Sequence, residues 1–232
     1  MCNVIAIGGL KNSGKDTSAK MVRYLLNAPK FLRYYPFYKL FGNFPGKWRI
    51  DYFARPLKEV LSIITGRSVN DFNNRVFKEN WCVYLDTMHC LPIEYLDSEK
   101  GSLMGDSQFN KYLKSELPIP ANTYLTIRQL MQYAGTDVMR RFFGDKLWIN
   151  SVLNNAKKDT IISDLRFKTE FEELKKRDAK TIYIENSSVH PGTHPSEREI
   201  VEIRKAGEFN YIVANEGTLA DLFYNLKGCL YE

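Results

Sequence analysis

A chain of 232 residues with 44% hydrophobic residues carries enough apolar material for one α/β core and need not be disordered as a whole. No run of about 18 apolar residues occurs, and the opening stretch Val4 to Ile7 runs straight into glycines and a lysine, so neither a membrane-spanning helix nor a signal peptide is expected. The formal net charge of +6 suits a nucleic-acid binder or an enzyme with two polyanionic substrates, and does not choose between them.

The chain opens as strand, glycine loop and helix. Asn3 to Ile7 is a short β-branched run of the kind buried on both faces of a sheet, Gly8 to Lys15 is the loop, and Ser18 to Leu26 places Ala19, Val22, Leu25 and Leu26 at helical spacing. Arg49 to Phe53 reads as a second strand, and Pro56 suits the first turn of a helix through Ile64. From about Gly66 to Asn122 the sequence is polar, dotted with aromatics and broken by Gly101, Gly105, Pro118 and Pro120, and is expected to be a helical or irregular insert or lid.

Regularity returns at Thr126, a suitable N-cap for a helix presenting Leu130, Met131 and Ala134. A helix from about Lys146 to Ala156, a strand from Thr160 to Asp164, a helix from Lys168 to Arg177 and a strand from Thr181 to Ile184 follow. Tyr211 to Ala214 is the last strand, and Thr218 caps a helix through Leu226. Strands alternating with helices predict one α/β domain over 1–232, with a mostly parallel sheet flanked by helices. Cys2, Cys82, Cys90 and Cys229 form no CxxC pair and read as free thiols of a reducing compartment; Cys82, His89 and Cys90 read as packing. The expected location is the cytoplasm, that of the host if the source is viral.

The strongest chemical signal is Gly9-Leu10-Lys11-Asn12-Ser13-Gly14-Lys15, which fits G-x-x-x-x-G-K between a strand and a helix. Its glycines let the backbone curl into a nest of N–H groups, the helix start adds positive potential, and Lys15 can reach the β- and γ-phosphates of ATP. Lys11, Asn12, Ser13, Gly14, Lys15, Asp16 and Thr17 are therefore the expected ATP-binding residues. Asp16 stands where the pattern usually has Ser or Thr; it either meets Mg²⁺ through a water or is simply a favourable acid in a first helical turn. Asp164, at the carboxyl end of an apolar strand, could hold Mg²⁺ through a water or orient Arg166; the bland reading is a helix N-cap, and both could hold together.

The loop through Asp16-Thr17 resembles that of the bacteriophage-type deoxynucleoside monophosphate kinases, of the P-loop kinase superfamily. Ala54-Arg55-Pro56-Leu57-Lys58, Thr126 to Asp137 (Arg-Gln-Leu-Met-Gln closed by Gly-Thr-Asp), Ile161 to Phe167 with Glu170, His194 with Glu197, and Val213 to Leu219 are similar to further blocks of that family, in order. The resemblance implies an ATP-dependent kinase acting on a deoxynucleoside monophosphate, Mg²⁺, and a homodimer. It implies catalytic roles for Lys15, Arg128 and Arg166, and an Asn215 loop bordering the adenine. For the acceptor it implies Arg55, Lys58, Arg128, Gln132, Gly135, Thr136, Asp137, Trp148, Asp164, Arg166 and Glu170. The chemistry agrees, because a phosphate acceptor is already an oxyanion and needs positioned Arg and Lys rather than a strong base.

For single residues a bland reading stays open: a surface ion pair for each Arg, core packing for Trp148, a turn and cap for Asn215 to Thr218. The segment of Glu197, Arg198, Arg204 and Lys205 reads as a lid or as a solvated charged helix. A phosphomevalonate-type kinase shares the Ser-Gly-Lys-Asp loop, Pro-Leu-Lys and Ser-Asp-x-Arg; a dephospho-coenzyme A kinase is a thinner match. A nucleic-acid-binding P-loop module would use the basic aromatic stretch Lys30 to Trp48, with Phe31, Arg33, Tyr34, Tyr35, Phe37 and Lys39; nucleic acid is not the expected partner.

Overall fold

The computed structural model describes residues 2–97, 99–115, 118–192 and 195–231; His194 lies outside them. The chain divides into two compact units, Met1–Phe53 with Ile149–Glu232, and Ala54–Trp148. In chain order the first unit opens with β1 (Val4–Gly8), α1 (Lys15–Asn27), α2 (Tyr35–Phe41) and β2 (Arg49–Asp51). The second unit follows with α3 (Arg55–Thr65), α4 (Val69–Asn73), α5 (Arg75–Asn80), β3 (Trp81–Tyr84), β4 (His89–Pro92), β5 (Ser102–Leu103), α6 (Asp106–Ser115), β6 (Thr123–Thr126), α7 (Ile127–Gln132) and α8 (Met139–Phe143). The chain returns through α9 (Leu147–Leu153), β7 (Thr160–Leu165), α10 (Lys168–Lys175), β8 (Lys180–Glu185), α11 (Pro195–Lys205), β9 (Tyr211–Ala214) and α12 (Leu219–Tyr231).

In the first unit five strands form one sheet of order β2-β7-β1-β8-β9, every pair parallel. Both faces are covered, which is why its strands read as continuous apolar runs. Ile5, Ile7, Ile161, Ile182 and Ile184 pack on one side against Val22 and Leu25 of α1 and Leu222, Phe223 and Leu226 of α12. Their alternates Ala6, Ile162 and Tyr183 pack on the other side against Ile149 and Val152 of α9, Phe171 and Leu174 of α10, and Ile200 and Ile203 of α11. Helix α11 is thus amphipathic, not solvated all round. In the basic aromatic stretch, Tyr35, Tyr38, Phe44 and Trp48 pack on the α1 side of this core while Phe31 and Leu40 stay exposed.

The second unit has a sheet of its own, order β4-β3-β6-β5, with β3 antiparallel to β4 and β6, and β5 parallel to β6. Here the structure differs from the irregular insert expected over 66–122. Its strands have two to four residues and mix Cys, Tyr and His with apolar side chains, too short for a period of two to show. Val83, Cys90 and Leu125 bury one face against Leu57 and Leu61 of α3, Phe72, Phe77, Phe109 and Leu130. Burial pushes the Cys82 thiol up to about 11 and raises that of Cys90, so both are packing groups at neutral pH.

Strand β6 runs straight into α7 through a reciprocal cap. The Gln129 N–H donates to Thr126 Oγ1 at 3.1 Å, and the Thr126 N–H donates to Gln129 Oε1 at 3.0 Å. Beyond Gln132 the helix widens into a π turn over Tyr133–Val138. Within that turn the Gly135 carbonyl accepts the Trp148 indole N–H at 2.8 Å. A Cβ at Gly135 would lie 2.6 Å from Leu57 Cδ2, so a side chain there would have to displace that of Leu57.

Candidate functional site: a phosphate loop at the carboxyl edge of the parallel sheet

The loop between β1 and α1 emerges at the carboxyl end of the central strand, where open parallel sheets bind ligands. Its curl depends on backbone angles that glycine adopts freely: Gly9 has φ 146° and Gly14 φ 100°. A Cβ at Gly9 would stand 2.6 Å from Ser13 Oγ, and one at Gly14 would collide with the Asn215 amide.

Contacts inside and across the unit hold the curl. The Ser13 N–H closes a turn onto Leu10 O at 3.1 Å, and Lys15 Nζ donates to the same carbonyl. From the loop after β9, Asn215 Nδ2 donates to Ser13 O at 2.9 Å while its own N–H is held by Glu185 O at 2.7 Å. Asn215 therefore braces the phosphate loop with its side chain. Glu197, on α11, accepts the Lys11 N–H on one carboxylate oxygen at 3.1 Å and the Gly192 N–H on the other at 2.7 Å.

The loop borders a cavity of about 360 Å³, lined by Lys11, Asn12, Gly14, Lys15, Asp16, Thr17, Ser163, Asp164 and Arg166. Eight of the nine, all but Ser163, were expected ATP, metal or acceptor residues, brought together here by β1 and β7 lying side by side. Lys15 is 7% exposed. Burial, reinforced by the Arg166 charge, lowers its pKa to about 8, although Asp16, Glu197 and Asp164 pull the other way. A polyanion beside it would raise that value again and hold the ammonium charged.

Asp164 does not cap the following helix. Its Oδ1 accepts the Phe53 N–H at 2.8 Å, which tethers the end of the β2 segment to β7. Glu170, 2% exposed, does the capping instead: its Oε2 accepts the N–H groups of Arg166 at 2.9 Å and Phe167 at 3.1 Å. It thereby fixes the backbone from which Arg166 enters the cavity. Asp16 is exposed at the cavity and accepts a 3.4 Å hydrogen bond from Ser163 Oγ. The Tyr52 phenol lies beside the same group; burial, then the charges of Asp16 and Asp164, raise its pKa.

The other expected acceptor residues all fall in the second unit. Arg55 pairs with Glu59 at 2.8 Å, and Lys58 donates to Asn73 Oδ1 at 2.8 Å. Arg128, on the exposed side of α7, pairs with Glu79 at 3.3 Å. Gln132, Thr136 and Asp137 sit at and within the π turn, with Thr136 exposed. Burial raises the Asp137 carboxyl above the usual range. Trp148 is 5% exposed and belongs to this unit's core, its indole N–H engaged by Gly135.

Sequence reasoning did not single out Ser163, Tyr52 or the anchoring bond of Glu197. Glu197 and Lys11 are 186 positions apart, and no local pattern links them.

A parallel sheet with its glycine loop on the central strand, a buried loop lysine, and an Arg and Asp from the neighbouring strand define a P-loop kinase. A family model for deoxynucleotide monophosphate kinase matches residues 68–226, more than half of the chain, and the chain belongs to that family. It is 23% identical over 245 residues to the deoxynucleotide monophosphate kinase of Enterobacteria phage T4, with 98% of each chain covered. It is 26% identical over 121 residues to a mimiviral protein named as a candidate deoxynucleotide monophosphate kinase, from Acanthamoeba polyphaga mimivirus; that match covers 45% of this chain and 61% of the viral one. Neither the phosphomevalonate-type kinase nor the nucleic-acid-binding module is favoured by these matches. No helix among the described residues is long and apolar enough to cross a membrane.

Proposed function

We propose that the chain transfers the γ-phosphoryl group of ATP to a deoxynucleoside monophosphate, giving the diphosphate, in the cytoplasm of the cell or of an infected host. The observation that carries the reading is the buried Lys15 on a glycine loop, sharing its cavity with Arg166, Asp16 and Asp164. The triphosphate lies along Lys11 to Thr17. The loop N–H groups and the start of α1 take the phosphate oxygens, and Lys15 turns from Leu10 O toward the β- and γ-phosphates.

The acceptor supplies its own nucleophilic oxygen, so the protein's work is alignment and charge neutralisation. Arg166, held at its backbone by Glu170, offers a guanidinium fork to the phosphoryl group in transfer. In the second unit Arg128 exchanges Glu79 for the acceptor phosphate, with Arg55 and Lys58 adding positive charge and Gln132, Thr136 and Asp137 offering polar groups to the nucleoside. Gly135 and Trp148 act by shaping the π turn that carries those side chains.

The oxygen donors at the cavity fit Mg²⁺: carboxylates at Asp16 and Asp164, hydroxyls at Thr17 and Ser163. Among the described residues no group of three or more His, Cys, Asp or Glu could hold a metal, so the cation would take its remaining ligands from nucleotide phosphates and water. Bound there, it would neutralise charge on the β- and γ-phosphates. A homodimer belongs to the same proposal.

The test is a coupled ADP-release assay with Mg²⁺ and ATP against dGMP, dTMP, dCMP, dAMP, their ribose forms and phosphomevalonate. Turnover with one or more deoxynucleotides supports the reading. Turnover with phosphomevalonate alone would replace the acceptor.

A further inference from the structure

Glu197 is a carboxylate held 7% exposed in the first turn of α11, with both oxygens engaged by backbone N–H groups. Isolated burial of a charge is costly, so a buried carboxylate with two such donors marks a place where geometry matters. Its helix is fixed independently by Ile200 and Ile203, which are 1% and 4% exposed in the sheet core. One oxygen closes a local contact with Gly192, where a Cβ would stand only 3.3 Å from Oε2. The other reaches the phosphate loop at Lys11, a residue that lines the triphosphate cavity.

We infer that Glu197 is a positioning residue for ATP: its carboxylate fixes the Lys11 N–H, and with it the curl of the phosphate loop before nucleotide arrives. Three anchors from outside the nest then set the loop. Asn215 holds Ser13 O, Glu197 holds Lys11 N, and the pairing of β1 with β7 and β8 holds the end from which the loop leaves. Releasing the Lys11 anchor restores backbone freedom that ATP binding must remove again. The inference rests on the assignment of the cavity to ATP.

Glu197→Gln separates positioning from a mere charge effect, because the two act with opposite sign. Glutamine is nearly isosteric but has one accepting oxygen, so one of the two N–H groups loses its partner. Deleting a negative charge beside a polyanion site would, by itself, tighten ATP binding. Positioning is expected to weaken it by about tenfold in calorimetry without divalent cations, and to raise the KM for ATP while the acceptor KM stays within about twofold. Glu197→Ala, lacking both bonds, should weaken ATP further, and thermal melting with circular dichroism shows that each variant is folded. Unchanged or tighter ATP binding by folded Glu197→Gln would overturn the inference, as would a lowered melting temperature with an unaltered KM. Failure of the unmodified protein to bind ATP would remove the cavity assignment itself, a separate and distinguishable result.

Discussion

Lys15 gives the sharpest prediction, because its pKa of about 8 lies where an ordinary lysine would not titrate. Burial lowers it first and Arg166 adds to the shift, so in the nucleotide-free protein the charged form is lost as pH rises through 8. With that value, about three quarters of Lys15 is charged at pH 7.5 and about 3% at pH 9.5. A bound triphosphate holds the ammonium charged, so above pH 8 binding must take up a proton, and the apparent affinity for ATP falls by about 25-fold over this interval. Terminal phosphates ionise with a second pKa of about 6, so the ligand is not the source of the change. Isothermal titration of ATP at fixed ionic strength from pH 7.5 to 9.5 reads the slope directly. In Lys15→Ala binding should be weak throughout and should lose this pH limb. A flat profile in the unmodified protein, or the same slope in Lys15→Ala, would refute the reasoning.

Other substitutions report on individual contacts. Gly14→Ala puts a side chain at φ 100° against the Asn215 amide; with strain of about 1–2 kcal/mol, the urea midpoint should fall and the ATP affinity of the still-folded protein should drop by about tenfold or more in titration calorimetry. Thr126→Ala removes the cap of α7 and should cost about 1 kcal/mol, seen as a lower urea midpoint with unchanged ATP affinity. Trp148→Phe leaves the buried Gly135 carbonyl without its indole donor and should destabilise by about 1–3 kcal/mol, measured by urea unfolding. Because the π turn carries Thr136 and Asp137, the same variant should raise the KM for the acceptor more than that for ATP.

The first unit was largely legible because its signals are local. Val4 to Gly8 is apolar because both faces of the strand are covered, and Gly14 with Lys15 marks the point where strand turns into helix. Tyr211 to Ala214 and the Thr218 cap, where the Asp221 N–H donates to Thr218 Oγ1 at 3.2 Å, follow from equally short-range chemistry. Thr126 and Gln129 likewise announce their helix through a three-residue spacing. The second unit's sheet was not legible, since Cys82, Tyr84, His89 and Tyr124 acquire a face only by pairing across strands, as far apart in sequence as Cys82 and Thr126. The π turn at Gly135 was hidden too, because its stabilising partner is an indole outside the helix. At the site, the glycine-loop pattern pointed to Lys15, the strand end to Asp164 and the family resemblance to Arg166, whereas the contacts of Glu170, Asn215 and Glu197 are defined by the backbone groups they reach. A carboxylate bound to an N–H leaves no mark on composition or periodicity.

The central claim is phosphoryl transfer to a deoxynucleoside monophosphate, and the most direct measurement follows the phosphoryl group itself. ATP labelled at the γ-phosphate is incubated with the protein, Mg²⁺ and each deoxynucleotide in turn, and the labelled products are separated. Label in the β-position of a deoxynucleoside diphosphate, abolished in Lys15→Ala, is the expected result. Label released only as inorganic phosphate, or transferred equally well by Lys15→Ala, would contradict it.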